Sequence, residues 1–121
     1  MSQENRRNIR SPVRLMAFVK NMKTSKVRRW LTKNISGTGV CLIADELLQR
    51  GERLELEVKL PDFPSPLVMA AEVVWTATAN AAAKSHETSS VEIGILFIDP
   101  PAKIQSILNQ YAAMNAPPHL D

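Results

Sequence analysis

The segment Arg53-Leu54-Glu55-Leu56-Glu57-Val58-Lys59-Leu60 alternates between charged and apolar side chains at every position. Successive side chains of an extended strand point to opposite faces of a sheet. The apolar residues at 54, 56, 58 and 60 therefore share one face, and the charged residues at 53, 55, 57 and 59 share the other. This pattern predicts an antiparallel strand with one face in a core and the other in water.

Two later segments carry the same period of two. One face of residues 67–76 is made by Leu67, Met69, Ala71, Val73 and Trp75, and one face of residues 91–97 by Val91, Ile93, Ile95 and Phe97. Shorter strand candidates are residues 15–21, 27–33 and 39–44. These six strands predict an all-β fold, a six-stranded antiparallel β-barrel, because closing the sheet removes its exposed edges.

The period changes after residue 97 and predicts a C-terminal α-helix. Asp99 is a favourable N-cap and Pro100 a favourable first helical residue. The apolar side chains that then recur at helical spacing are Ile104, Ile107, Leu108 and Tyr111. We expect this amphipathic helix to pack against the barrel.

The chain divides into three predicted parts. Residues 1–14 are predicted to be a flexible N-terminal arm, residues 15–114 the barrel with its helix, and residues 115–121 a mobile tail that starts before two prolines. Within the barrel, the connection over residues 76–90 shows neither a strand period nor a helical one.

Composition excludes several classes of protein. The 121 residues are 45% apolar and 22% charged, which is typical of one soluble globular domain. No apolar run is long enough to span a membrane or to act as a secretory signal, so we expect a cytoplasmic protein without membrane insertion. One cysteine, Cys41, and two histidines, His86 and His119, predict no disulfide, no metal or other cofactor, and no catalytic set, so we do not expect an enzyme.

Charge is distributed unevenly along the chain. Residues 1–33 hold ten Lys/Arg against one acid, a net charge of +9, whereas the remainder holds five Lys/Arg against eleven acids, a net charge of −6. A surface this basic at one end favours an anionic ligand, although a solvated basic face would carry the same charge.

Two short motifs are candidates for anion binding. Arg6 and Arg10 form an R-x-x-x-R spacing just before Ser11-Pro12-Val13, and residues 34–39 form an N-x-S-x-x-G turn with Asn34, Ser36 and Gly39. Hydroxyl, amide and glycine backbone groups suit a phosphate. The same residues also suit an ordinary turn that needs glycine and local side-chain hydrogen bonds.

Taken together and in this order, the motifs resemble those of the PilZ domain family, whose members bind the bacterial second messenger cyclic di-GMP. The resemblance extends through Gly51-Glu52-Arg53-Leu54-Glu55-Leu56, Ala71-Glu72-Val73-Val74-Trp75 and Glu92-Ile93-Gly94-Ile95-Leu96-Phe97. It implies a six-stranded barrel with a C-terminal helix, and a nucleotide-binding role in second-messenger signalling.

The resemblance also implies the site residues. The ligand-binding set it predicts is Arg6, Arg7, Arg10, Asn34, Ser36 and Gly39. The guanidinium groups suit guanine or phosphate, the Asn34 amide a guanine edge, and the Ser36 hydroxyl a phosphate. Asparagine stands where the family more often has aspartate. Asn5, where relatives often carry a further arginine, favours one ligand per site.

The predicted function is that of a receptor or adaptor. We expect the arm to wrap around bound cyclic di-GMP and to change a surface that an unknown protein partner reads. Trp75 could stack on a guanine, but its alternation with Val73 places it in the core. Two alternatives are a degenerate PilZ-like protein adaptor that binds no nucleotide and a barrel that binds single-stranded nucleic acid. The scarcity of outward aromatic residues disfavours the second alternative.

Overall fold

The computed structural model describes residues 12–61, 63–78 and 91–115 of the chain. Its elements are β1 (Met16–Asn21), β2 (Val27–Ile35), β3 (Gly39–Ala44), β4 (Arg53–Val58), β5 (Leu67–Thr78), β6 (Val91–Phe97) and α1 (Ala102–Met114). The predicted succession of six strands and one helix is confirmed, and no strand end differs from its predicted position by more than two residues. The predicted arm residues 1–11 and tail residues 116–121 lie outside the described residues.

The six strands form a closed antiparallel barrel in the order β1-β2-β3-β6-β5-β4. β4 closes the barrel by pairing with β1, where Ala17 is the partner of Val58. Closure gives the backbone N–H and C=O groups of both strands a partner. It leaves no free sheet edge among the described strands, which is the reason for which a barrel was predicted.

The barrel interior is the core of the protein. The apolar row of β4 is buried, with Leu54, Leu56 and Val58 each almost fully removed from solvent. The corresponding rows of β1, β5 and β6 contribute Ala17, Val19, Leu67, Met69, Ala71, Val73, Ile93, Ile95 and Phe97. A shift of one residue in the register of any strand would turn its apolar row outward, so the sequence pattern itself specifies the register.

Helix α1 begins three residues later than its predicted N-cap, and that prediction is wrong. Asp99 has φ +43°, and the N-cap position is occupied by Pro101, which makes no side-chain capping bond. Pro100 is disfavoured as a helical residue because it precedes another proline, whose ring disfavours the helical region for the residue before it. The first helical residue is therefore Ala102.

The helix packs one face on the barrel, as its spacing predicts. Leu108 and Ala112 are buried, and Ile104, Ile107 and Tyr111 pack against the core while partly exposed. In the part of the chain that the structure describes, no helix is both long and apolar enough to cross a membrane.

Thr32 on β2 anchors the chain that leads into β1. Its hydroxyl donates to the Val13 carbonyl oxygen at 2.5 Å and accepts from the Leu15 N–H at 2.8 Å. Because Thr32 is fully buried, these two bonds satisfy the hydrogen-bonding capacity of a hydroxyl that has no access to water. They also place Val13 beside the segment of β2 that leads to Asn34.

Candidate ligand-binding site

The turn between β2 and β3 is held together by Ser36. Its side chain is fully buried, and its Oγ accepts hydrogen bonds from the backbone N–H groups of Thr38 at 3.2 Å and Gly39 at 3.3 Å. The Ser36 N–H in turn donates to the Gly39 carbonyl oxygen at 2.9 Å. The serine of the N-x-S-x-x-G motif therefore shapes the turn through local hydrogen bonds.

Gly39 is needed for close approach to a neighbouring strand, and Gly37 leaves room for a side chain of α1. A Cβ on Gly39 would lie 2.2 Å from the Ile95 carbonyl oxygen of β6, and one on Gly37 would lie 2.3 Å from Oδ1 of Asn109 on α1. Neither glycine has a positive φ. Gln105 Nε2 also donates to the Gly37 carbonyl oxygen at 3.2 Å. The turn is thus packed between β6 and α1.

Asn34 faces the outside of the barrel because of a β-bulge. Regular alternation from buried Thr32 would place Asn34 inside, but the pairing of β2 with β3 shifts between these two residues, with Lys33 between them. Beyond the shift, Asn34 pairs with Cys41, and Ile35 returns to the core. Bulges often redirect a side chain beside a functional site, and this one brings the amide of Asn34 to the outer surface.

Trp75 reaches the same outer surface by a second bulge, so its predicted position in the core is wrong. The pairing of β5 with β6 shifts between Val73 and Trp75, which makes Val74 the additional residue. Val73 is buried, whereas Trp75 is 45% exposed and pairs with Gly94. A Cβ on Gly94 would lie 2.1 Å from the indole, so one side of the ring rests directly on this glycine.

The two bulges flank a groove of about 360 Å³ on the outer face of β2, β3, β6 and β5. Its lining residues are Lys33, Asn34, Val40, Cys41, Val74, Trp75, Glu92, Gly94, Ile95 and Leu96. An aromatic ring, an amide and a charged pair therefore line one depression, a combination suited to a ligand with both a flat ring and polar edges.

The charged pair in the groove joins β2 to β6. Lys33 Nζ donates to Glu92 Oε2 at 2.7 Å. Glu92 raises the pKa of Lys33 above its usual value, first through this hydrogen bond and then through its negative charge. Lys33 is therefore cationic at neutral pH, and its contribution to stability is lost only as the pH rises through that raised pKa.

The predicted site residues that the structure describes fall into two groups. Asn34 lines the groove, whereas Ser36 and Gly39 are buried in the turn beside it. Arg6, Arg7 and Arg10 lie outside the described residues. That the six residues bind a ligand stays a prediction.

Sequence reasoning missed Lys33, Glu92 and the outward direction of Trp75. The outward row of β6, with Glu92 and Gly94 in alternation with buried Ile93, was a usable signal for Glu92. No residue type marks a bulge, so the position of Asn34 and Trp75 on one surface carried no such signal.

Comparison with known proteins agrees with this architecture. The sequence model of the PilZ domain matches residues 4–113. The PilZ domain of YcgR from Escherichia coli, solved with c-di-GMP, aligns at a TM-score of 0.71 with 14% identity, covering 90% of this chain and 89% of that one. A comparison with curated proteins finds no match.

Two longer proteins share the fold. MotI (DgrA) from Bacillus subtilis, an inhibitor of motility, aligns at a TM-score of 0.69 with 22% identity, covering 88% of this chain and 48% of that one. MrkH from K. pneumonia in complex with c-di-GMP aligns at 0.69 with 15% identity, covering 87% and 49%. This chain spans about half the length of each. The resemblance inferred from the two motifs is confirmed, and the chain belongs to the PilZ domain family.

Proposed function

We propose that this chain is a receptor for cyclic di-GMP, which binds in the groove between the two bulges. The observation that carries the proposal is the presence of Trp75 and Asn34 on one outer surface next to the motif turn. Family membership and the c-di-GMP complexes of YcgR and MrkH support it. We also propose that the protein binds this ligand without catalysing a reaction, and that it does so in the bacterial cytoplasm.

Stacking on Trp75 is the first component of binding. One side of the indole rests on Gly94, and the ring is 45% exposed, so a guanine can lie against its open side. Stacking of a base on an aromatic side chain contributes about 1–3 kcal/mol. Trp75 thus supplies a flat surface for stacking, although the sequence pattern predicted that its ring lies in the core.

Polar groups around the ring supply the second component. Asn34 offers both a donor and an acceptor to a guanine edge, and Lys33 offers a cation to a phosphate. In this proposal Ser36 and Gly39 act chiefly by shaping the turn, since their polar atoms bond to one another. The Ser36 hydroxyl can donate to a phosphate only by giving up a bond within the turn.

The arginines of the N-terminal segment supply the third component. Three peptide links join Arg10 to Val13, so their Cα atoms lie within about 10 Å of one another. Val13 is bonded to Thr32, which directly precedes Lys33 of the groove. Arg10, and with it Arg6 and Arg7, is therefore within reach of a ligand in the groove. Closure of this segment over the ligand is the step that a protein partner would sense.

Calorimetric titration with cyclic di-GMP tests the proposal. Replacing Arg10 with alanine removes a charge-assisted hydrogen bond, so we expect affinity to fall about ten- to a hundredfold. The matched control is Arg50→Ala, which removes the same charge from an exposed position outside the groove. Absence of binding by the wild type, or equal affinity in both variants, would contradict the proposal.

Competition separates the proposal from nucleic-acid binding. A single-stranded oligonucleotide should fail to displace bound cyclic di-GMP at equal concentration, because the groove is short and the ligand brings two phosphates to one place. Displacement by the oligonucleotide would instead favour an open stacking surface for single strands.

A further inference from the structure

Glu92 is an unexpected residue in a groove proposed for an anion. It belongs to the outward row of β6, where it pairs with Ile43 on one side and Ala77 on the other. Its side chain is 24% exposed and lines the groove. A carboxylate near two phosphates lowers their affinity by repulsion, unless it makes a favourable contact with another part of the ligand.

The two carboxylate oxygens of Glu92 differ in their hydrogen bonds to the described residues. Oε2 accepts from Lys33 Nζ, whereas Oε1 has no hydrogen-bond partner among residues 12–61, 63–78 and 91–115. Lys33 itself is held at the bulge of β2. The ion pair therefore orients the carboxylate of a residue that lines the groove, and Oε1 takes no part in that pair.

The strand register places the Glu92 carboxylate close to the stacking surface of Trp75. Glu92 and Gly94 are alternate residues on the same face of β6, about 7 Å apart, and the Trp75 indole rests on Gly94. A purine stacked on Trp75 is wide enough to bring one edge toward Glu92. Asn34, across the groove, is neutral and offers no carboxylate of its own.

We propose that Glu92 determines guanine specificity by accepting hydrogen bonds from the N1–H and exocyclic amino groups of a guanine stacked on Trp75. Guanine presents these two donors on its Watson–Crick edge, and an ionised carboxylate is acceptor-only, so the two groups are complementary. Lys33 is then a positioning residue that orients Glu92. This inference rests on the proposed binding of cyclic di-GMP.

The alternative role for Glu92 predicts an effect of opposite sign. If the carboxylate only neutralises Lys33, then replacing it with glutamine frees a cation for the phosphates and removes a repulsive charge. Affinity would rise for every cyclic dinucleotide, regardless of its base. If Glu92 reads guanine, affinity falls, and it falls most for the ligand that carries the exocyclic amino group.

The experiment compares cyclic di-GMP with cyclic di-IMP, which lacks the exocyclic amino group, on the full chain by calorimetry. We expect the wild type to prefer cyclic di-GMP by about tenfold. Glu92→Gln should weaken cyclic di-GMP binding about ten- to a hundredfold and reduce that preference to about threefold or less. The loss is expected because the side-chain amide of the variant places a donor against the guanine amino group.

The matched control is Glu57→Gln, which removes the same charge from β4 on the outer face opposite Phe18. It should leave the preference unchanged, and thermal unfolding of both variants establishes that they fold. Tighter or unaltered binding by Glu92→Gln, or a preference that survives it, overturns the role of Glu92 while cyclic di-GMP binding by the wild type stands. Absence of binding by the wild type overturns the proposed function itself.

Discussion

The β2–β3 turn and the outer groove lie side by side yet are built in opposite ways. In the turn, Ser36 is fully buried and its hydroxyl bonds to neighbouring backbone groups. In the groove, Trp75 is 45% exposed, and Glu92 keeps an acceptor unused among the described residues. The comparison separates residues that maintain the shape of the site from residues that are free to contact a ligand, although both sets surround the same motif.

The largest effect should be a loss of stability caused by a substitution in the turn. Gly39→Ala would place a methyl group 2.2 Å from the Ile95 carbonyl oxygen, and because this neighbour is backbone, two strands must separate. We expect the free energy of unfolding to fall by about 3 kcal/mol, the upper part of the range for overpacking. Urea unfolding measures it. A variant as stable as the wild type would show that the turn tolerates far more movement than its packing indicates.

Substitutions in the groove should change the affinity for cyclic di-GMP and not the stability of the fold. Trp75→Ala removes the stacking surface, so we expect cyclic di-GMP affinity to fall between about fivefold and about a hundredfold. The free energy of unfolding should change little because the ring is largely outside the core. Trp75→Phe, which retains an aromatic ring, should recover part of the affinity. Equal loss in both variants would argue against stacking.

Gly94→Ala sharpens the comparison because it makes the same chemical change as Gly39→Ala in the other region. Its methyl group would meet the Trp75 indole, an exposed side chain that can turn away. We expect nearly unchanged stability and a loss of affinity no larger than that of Trp75→Ala.

A double-mutant cycle in calorimetry checks this coupling. Once Trp75 is alanine, adding Gly94→Ala should have no further effect on affinity, since the indole that the methyl group displaces is gone. Additive losses would mean that Gly94 contacts the ligand by itself.

The smallest effect should come from Ser36→Ala. Loss of the hydroxyl removes the local bonds to Thr38 and Gly39, for which we expect a cost of about 1 kcal/mol in unfolding free energy. Affinity should fall less than in Trp75→Ala. Unaltered stability with a tenfold loss of affinity would instead support the direct phosphate contact predicted for this serine.

Most of the fold could be predicted from local pattern. The alternation in β4, β5 and β6 predicted which residues are buried, and it failed at Trp75 because of a single additional residue at Val74. The start of α1 was misplaced because successive prolines restrict Pro100, a local effect that outweighs the N-cap preference of Asp99. The motif turn was located correctly, but its sequence did not separate shaping residues from contact residues.

The sequence by itself determined the number of strands, the inward rows, the helix and the motifs, because each depends on side chains a few residues apart. Only the tertiary structure decided that Asn34, Trp75 and the Lys33–Glu92 pair share one groove. Their meeting depends on strand order and on two bulges. A bulge reverses the direction of every following side chain, and its position is set by pairing with another strand and not by the residues that contain it.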